Sequence, residues 1–335
     1  MKKFTVKQIA AQAGFSTATV DRVLHGRSGV HQQTKQRIEQ AISELEDQYK
    51  LDALKGRTFY VDVIMHTPLR FSHLVREALN RISVQMSPIR VRLRYFLYQD
   101  IDIDTLASVI YESKERGSHG VLLKAPDHPK IVKAVNILHK EGIPAVTLVT
   151  DISQSKRLNY IGIDNTSAGE TAAFLLTQWL GKKNSGILLV QSSNAFRGEE
   201  QRAKGFCHFL EHYPNLPVTT ISEGYGLNVG TKKQVKAVLI EDSNISAVYS
   251  VGGGNRAILD AFKEMNRPID AFIGHDLDDD NRYLLRTRKI QAVIDHNLDD
   301  DARAAFFSVF APYGLMPTFS YTSSRINVVT PFNLQ

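Results

Sequence analysis

The run Val6-Lys7-Gln8-Ile9-Ala10-Ala11-Gln12-Ala13-Gly14-Phe15-Ser16-Thr17-Ala18-Thr19-Val20-Asp21-Arg22-Val23-Leu24-His25-Gly26 decides how the chain begins. Val6, Ile9, Ala10 and Ala13 recur at helical spacing on one face. Thr5 stands before them as an N-cap, and Gly14 stops the helix. Ser16 or Thr17 caps a second helix whose apolar face is Val20, Val23 and Leu24 and which ends near Gly26. Two short helices joined by a glycine-containing turn make a helix-turn-helix, and the small Ala10 and Ala13 allow a close crossing. A third helix is predicted from Gln32 to Gln48, with Ile38, Ala41, Ile42 and Leu45 as its stripe, enough to close a small core.

Charge points the same way. Residues 1–38 hold seven basic side chains and one acidic one, Asp21, whereas the remaining chain holds 34 of each sign, so the whole net charge of +6 lies in this head. A basic head on a neutral body is the footprint of a nucleic-acid binder. In a helix-turn-helix the second helix enters the major groove. Its exposed start offers Thr17, Ala18 and Arg22 to base edges, Arg22 having the fork that matches guanine. Ser16, Thr19, His31 and Thr34 suit phosphates, and Thr5 joins this DNA-facing set. The 335 residues, 43% hydrophobic and 23% charged, suffice for two or three globular domains. No apolar run reaches the roughly 20 residues of a membrane span. The start, Met1-Lys2-Lys3-Phe4-Thr5, leads into Gln8, Gln12 and Ser16, so no secretory signal is expected. The single Cys207 excludes an internal disulfide and a cysteine metal framework and fits a reducing, cytoplasmic location.

From Phe59 onward β-rich runs alternate with amphipathic segments. Strands are expected at Phe59–Met65, Ile89–Tyr98, Gly120–Leu123, Ala145–Val149, Tyr160–Ile163, Gly186–Gln191, Pro217–Ser222, Ala247–Val251, Ala271–Ile273 and Gln291–Ile294. Helices between them include Phe71–Met86, Lys130–Glu141 and Ala168–Leu180. This rhythm implies α/β architecture with parallel sheets, and the strand number suits two doubly wound lobes. The chain is expected to cross between them near Asp164, near Asp295 and in the C-terminal stretch. Ligands of such sheets bind beyond the strands' carboxyl ends. There the sequence places Thr67, Arg70, Phe71, Asp100, Lys124, Asp151, Phe196, Arg197, Tyr225, Asn255, Asp276 and His296. Carboxylates, amides, an arginine fork and aromatic faces together suit a polyhydroxylated ligand. Each residue alone reads equally well as a helix cap.

The run at residues 6–26 resembles the head of the lac repressor (LacI/GalR) family, which shows T-x-x-D-[IV]-A-x-x-A-G-[VF]-S-x-x-T-V-S-R-V-L-N. Gln8 stands where that family has Asp, and Asp21 where it has Ser. Leu54-Lys55-Gly56-Arg57 resembles the end of its hinge, which implies Leu54 as a minor-groove wedge, although the usual Pro and Ala-Arg pair are missing. The body is similar to periplasmic sugar-binding proteins of type I at Gly142–Asp151, Tyr160–Gly169 and Phe196–Phe206. The resemblance implies a helix-turn-helix DNA-binding domain at residues 1–48, a hinge at 49–58 and a two-lobed ligand-binding and dimerisation domain at 59–335. It implies that Arg197 grips sugar hydroxyls, with Asp151, Asn255 and Asp276 completing the site. His296 replaces the family's usual Gln, and Gly274-His275-Asp276-Leu277 departs from G-[FY]-D-[DN].

Rival chemistry is weaker. Asp278-Asp279-Asp280 and Asp299-Asp300-Asp301 sit at predicted helix starts, where the dipole favours carboxylates, so capping is preferred to a metal site. There is no G-x-x-x-x-G-K-[ST] loop, no G-x-S-x-G elbow, and Gly252-Gly253-Gly254 lacks the dinucleotide pattern. No catalytic residue, cofactor or metal is expected. The preferred reading is a regulator, a repressor in the first instance, whose grip on a pseudo-palindromic double-stranded operator is set by a sugar or polyol. A homodimer is expected, since no heptad tail follows the body. The alternatives are a solute-binding protein, which needs a signal peptide and no basic head, and a sugar-converting enzyme.

Overall fold

The computed structural model describes residues 4–54, 57–222, 228–317 and 323–334. They divide into two compact units: the chain up to Thr58 together with Met86–Arg90, and the remainder.

The first unit is built on three helices: α1 (Val6–Ala13), α2 (Thr17–Leu24) and α3 (Gln32–Leu54). Thr5 caps α1 in a reciprocal box with Gln8, and Gly14 ends it in the left-handed region at φ 76°. Ser16 caps α2. Ile9, Ala10, Ala13, Val20, Ile38 and Ala41 form the buried core. Arg37 locks α1 to α3 by donating to the Gln12 carbonyl at 2.9 Å while pairing with Glu44 at 3.2 Å. Helix α3 differs from expectation. It passes Gln48 without a break and ends at Leu54, because residues 46–54 contain neither Gly nor Pro to stop it. Tyr49, assigned to the linker by sequence, lies on this helix with its ring edge-on to Phe4 at 6.2 Å.

The second unit holds two α/β lobes. The first comprises β1 (Thr58–His66), α4 (Leu69–Ser83), β2 (Arg90–Tyr98), α5 (Ile103–Tyr111), β3 (Gly120–Lys124), α6 (Pro129–Lys140), β4 (Ala145–Leu148) and β5 (Asn159–Ile161). Its sheet has the order β2-β1-β3-β4-β5, with β1, β3, β4 and β5 parallel. The second comprises α7 (Asn165–Leu180), β6 (Gly186–Val190), α8 (Arg197–Leu210), β7 (Val218–Ile221), α9 (Asn228–Glu241), β8 (Ile245–Ser250), α10 (Asn255–Glu264), β9 (Ala271–His275), α11 (Asp279–Arg286) and β10 (Ala292–His296). The chain then returns to the first lobe, where α12 (Leu298–Phe310) packs on α4 and β4, and a 3-10 turn follows at Ala311–Tyr313. It ends in β11 (Ile326–Val329) on the edge of the second sheet, order β11-β10-β9-β8-β6-β7. The crossings thus fall after β5, after β10 and near the C-terminus, where sequence placed them.

β11 escaped the sequence reading. It is short, polar at Asn327, and antiparallel to β10, so the second sheet is mixed rather than wholly parallel. It reaches the sheet from the other lobe with no covering crossover helix, which removes the constraint that makes its neighbours parallel. The central strands β3, β6 and β9 are buried throughout, as strands covered on both faces must be.

Candidate functional site

On the head, Thr17, Ala18 and Arg22 stand exposed along α2, and His31 is exposed at the entry to α3. Arg22 makes no side-chain hydrogen bond or ion pair among the described residues, so its fork is open to a partner. Ser16 and Thr19 share a hydrogen bond of 2.9 Å at the start of α2. The Thr5 hydroxyl is engaged with Gln8, whose side-chain oxygen accepts from the Thr5 backbone at 2.8 Å; Gln8 therefore closes the cap in place of the usual Asp. Asp21 lies beside His25 at 3.0 Å and Arg27 at 3.3 Å, so its negative charge is compensated within the head. Thr34 is half-buried. Leu54 closes α3, but the placement of its side chain lies outside the described residues.

In the body, the strand ends of both lobes converge on a small cavity of about 40 Å³. From the first lobe come Thr67, Pro68, Arg70, Phe71, Lys124, Val149 and Thr150; from the second come Ser192, Phe196, Gly198, Glu199, Arg202, Val251, Gly252 and Asp276. Two lining residues, Val149 at φ 66° and Asp276 at φ 63°, hold the left-handed backbone that a β-branched residue in particular avoids. Such strain gathers where a side chain must be aimed at a partner.

Arg70 reaches across the cavity to the second lobe. Its Nη2 donates to the Gly252 carbonyl at 3.2 Å and its Nε pairs with Asp278 at 3.0 Å. Gly253 makes room for it: a Cβ there would meet Arg70 Nη2 at 1.7 Å. Lys124 is buried, with its ammonium 4.2 Å from the Phe196 ring centre and 5.9 Å from that of Phe71. Burial pushes its pKa down to about 8, although Glu199 and Asp276 nearby pull it up. Arg202 is 3% exposed, and its Nε donates to Asn165 Oδ1 at 2.8 Å. Glu199 is held by Ser192, whose backbone N–H donates to it at 2.7 Å.

Asp276, which lines the cavity, forms a charged pair with His296, which does not. His296 Nδ1 lies 2.7 Å from Asp301, and its Nε2 lies 3.6 Å from Asp276, an ionic rather than hydrogen-bonded distance. Burial favours the neutral ring, but the two carboxylates outweigh it and raise the His296 pKa to about 10. Burial likewise opposes ionisation of Asp276, while His296 and Arg202 hold its pKa at about 2. His296 is thus an imidazolium at neutral pH, not the neutral donor-acceptor that would imitate a glutamine. Its ring stacks on Phe71 at 6.2 Å, and it lines a second, open crevice beside α4 and β11 rather than the cavity itself. His275 stays neutral: burial pushes it well below the usual range, and Tyr249 lies 2.7 Å from its Nε2.

Of the sequence candidates, Arg70, Phe71, Lys124, Phe196 and Asp276 meet around the cavity. Four others do not. Arg197 is turned to Asp127 at 3.6 Å and is 38% exposed in its side chain, and the guanidinium lining the cavity is that of Arg202. The reason is helix phase. Gly169 and Gly205 press α7 against α8 so closely that a Cβ on either would lie within 2.3 Å of the other helix's backbone. That contact turns residues 198, 202 and 205 inward and Arg197 off the face. Asp151 is consumed by Arg157, whose Nη2 donates at 2.6 Å, and by the Thr147 hydroxyl at 2.9 Å. Asp100 is exposed outside the cavity. Asn255 is buried below it, donating to Asn281 Oδ1 at 2.6 Å. Tyr225 lies outside the described residues. Sequence reading missed Glu199, Arg202 and Ser192 as lining residues, though the first two stand inside the run it had singled out.

Among the described residues no cluster of His, Cys, Asp and Glu is arranged to hold a metal, and no helix is long and apolar enough to cross a membrane. Asp278 caps α11 and Asn297 caps α12, with Asp279, Asp280, Asp299, Asp300 and Asp301 in their first turns, where the helix dipole favours them.

Comparison with known proteins gives matches to both units. The family of periplasmic binding protein domains matches residues 86–311, and the lacI family of bacterial regulatory proteins matches residues 5–48. Solved structures share the fold of the body. GanP, a glucose-galactose binding protein from Geobacillus stearothermophilus, is 17% identical with a TM-score of 0.74, over 83% of this chain and 99% of that one. A solute-binding protein from Agrobacterium vitis with bound D-fucose is 16% identical with a TM-score of 0.72, over 83% and 96%. AraP, an arabinose binding protein from Geobacillus stearothermophilus, is 20% identical with a TM-score of 0.67, over 83% and 98%. Curated proteins give no significant match.

Proposed function

Because the chain belongs to the lacI family of bacterial regulatory proteins, with a periplasmic binding protein domain as its body, we propose that it is a cytoplasmic repressor whose hold on an operator is set by a carbohydrate bound in the cavity of the body. The observation that carries this reading is the union, in one chain, of a basic head with an open readout helix and a body whose strand ends enclose a polar and aromatic cavity.

Each part has a physical task. On DNA, Arg22 reads a guanine edge from α2, while Ser16, Thr19, His31 and Thr34 hold phosphates. A homodimer presents two heads to a pseudo-palindromic site. In the body, Phe71 and Phe196 cover the C–H faces of a sugar, while Asp276, Arg202 and Lys124 meet its oxygens. The ligand binds one arrangement of the lobes better than the other, and linkage converts that difference into a change of DNA affinity.

The test is selection of genomic fragments by the purified full chain at low salt, with and without a sugar panel. The expected result is a set of fragments sharing a palindromic motif, whose affinity one sugar alters by about fivefold or more. Equal retention of every fragment under all conditions overturns the proposal.

A further inference from the structure

We propose, building on the sensor reading above, that the effector is an anionic carbohydrate, one bearing a carboxylate or a phosphate, and that Lys124 and Arg202 receive its charged group.

The case rests on an imbalance of donors and acceptors. Lys124 is 7% exposed, lines the cavity, and makes no hydrogen bond or ion pair among the described residues; only the faces of Phe196 and Phe71 attend it. Its three N–H donors are therefore open. Arg202, which lines the same cavity, uses its Nε on Asn165, and its two terminal nitrogens make no hydrogen bond among the described residues. The acceptors of the lining are largely spent. Glu199 takes the backbone N–H and the hydroxyl of Ser192, and Thr150 takes the backbone N–H of Gly198. Asp276 is the exception: it lies 3.6 Å from His296 Nε2, and its buried Oδ1 accepts no hydrogen bond among the described residues. A neutral hydroxyl supplies an acceptor but adds a donor of its own, and this lining has few acceptors for it. An ionised oxygen supplies acceptors alone and forms the stronger, charge-assisted bonds.

Electrostatics agrees. Burial lowers the Lys124 pKa, and the nearby Arg202 disfavours its charge further. The charged groups facing Lys124 are Glu199, Asp276 and Arg202, and burial, with Lys124 beside it, lowers His66. A buried ammonium left without a partner is costly, and an anion seated between two such cations removes that cost on binding. The remaining carboxylate, Asp276, then serves hydroxyls at the other end of the ligand.

Calorimetric titration of the full chain at pH 7 with three probe series decides the matter: neutral hexoses, the matching uronates and aldonates, and hexose 6-phosphates. The expected result is an acid or a phosphate that binds at least about tenfold tighter than any neutral hexose, and the responding series names the anion. Lys124→Met should erase about 10- to 100-fold of that preference, the scale of a charge-assisted bond. Titration of the wild type near pH 8.5 in two buffers of different ionisation enthalpy should reveal proton uptake as the anion restores the ammonium, a readout independent of the variant's folding. If a neutral hexose binds tightest, or if Lys124→Met keeps the preference, or if no proton is taken up, the anionic inference falls while the sensor reading stands. If no member of any series binds, both fall.

Discussion

In the proposed function the cations of the head and those of the body serve the same kind of partner, an oxygen-rich molecule, from opposite surroundings. Arg22 stands in water at the surface of α2, whereas Lys124 and Arg202 are almost wholly withdrawn from it. An exposed cation is easily placed and easily screened, so its contribution falls with salt. A buried cation needs a scaffold, here Asn165 for Arg202 and the Gly169–Gly205 crossing of α7 and α8, and its interactions act through a low dielectric. The difference teaches which losses should be large: truncation at the surface removes one contact, while truncation in the cavity also leaves neighbours unpaired.

The sharpest way to break this contrast is Arg202→Ala. Loss of a buried, bonded charge from a binding site costs on the order of 2–5 kcal/mol, so effector affinity measured by calorimetry should fall at least about thirtyfold, with operator affinity in the absence of effector unchanged. Arg197→Ala, on the outward side of the same helix, should alter effector affinity by less than about threefold, the scale of an exposed pair. Equal losses in the two variants would mean that the helix phase assigned to α8 is wrong. On the head, Arg22→Ala should weaken specific operator binding by about 1–3 kcal/mol and relax discrimination at one base pair. Fluorescence anisotropy with operator variants measures both, and an unchanged preference would remove α2 from the readout.

A third comparison uses pH. His296 has its folded pKa raised to about 10, above the 6.5 of an ordinary histidine. The stability it contributes is therefore complete below pH 6.5 and is lost as pH climbs through 10. Asp276, depressed to about 2, contributes above pH 3.8 and loses its contribution as pH falls through 2. Melting temperature should therefore decline from pH 7 to about pH 8, above which Lys124, lowered from 10.5 to about 8, returns stability as it loses its proton, and His296→Gln should remove the decline. A variant melting curve parallel to the wild type across this range would deny the imidazolium its role.

How much of this was legible beforehand follows from the same distinction. Caps and periodicity are local, so Thr5 and Gly14 were read directly and the second cap was narrowed to Ser16 or Thr17, of which the structure uses Ser16; the βα rhythm and the crossings between lobes were read as well. The close of α3 was misjudged because a family hinge was expected where residues 46–54 carry no helix breaker. β11 was invisible because four residues with a polar interruption carry little period. In the cavity, strand-end position found Lys124, Phe196 and Asp276 but could not separate Arg197 from Arg202, since that choice depends on how two helices cross. Nor could it foresee that Asp151 would be spent on Arg157, a pairing made by the loop that follows β4.

The smallest expected effect tests the head's own compensation. Asp21 lies on α2, the helix proposed to read DNA, and replaces the serine of the family pattern, which by itself would repel phosphates. Its carboxylate lies beside Arg27 and His25, so the repulsion is partly cancelled, and Arg27 is held in place of being free to meet the duplex. Asp21→Ser removes a negative charge and releases Arg27 at once. Since exposed pairs are worth only about 0.2–1 kcal/mol, operator affinity should rise by roughly two- to fivefold at low salt. The gain should shrink as salt is raised, because both the lost repulsion and the released cation act through screened water. A fall in affinity would reverse the interpretation: Asp21 would then be holding Arg27 or His25 in the position from which it binds, and the acidic residue would be part of the DNA-reading surface instead of a tolerated exception to it.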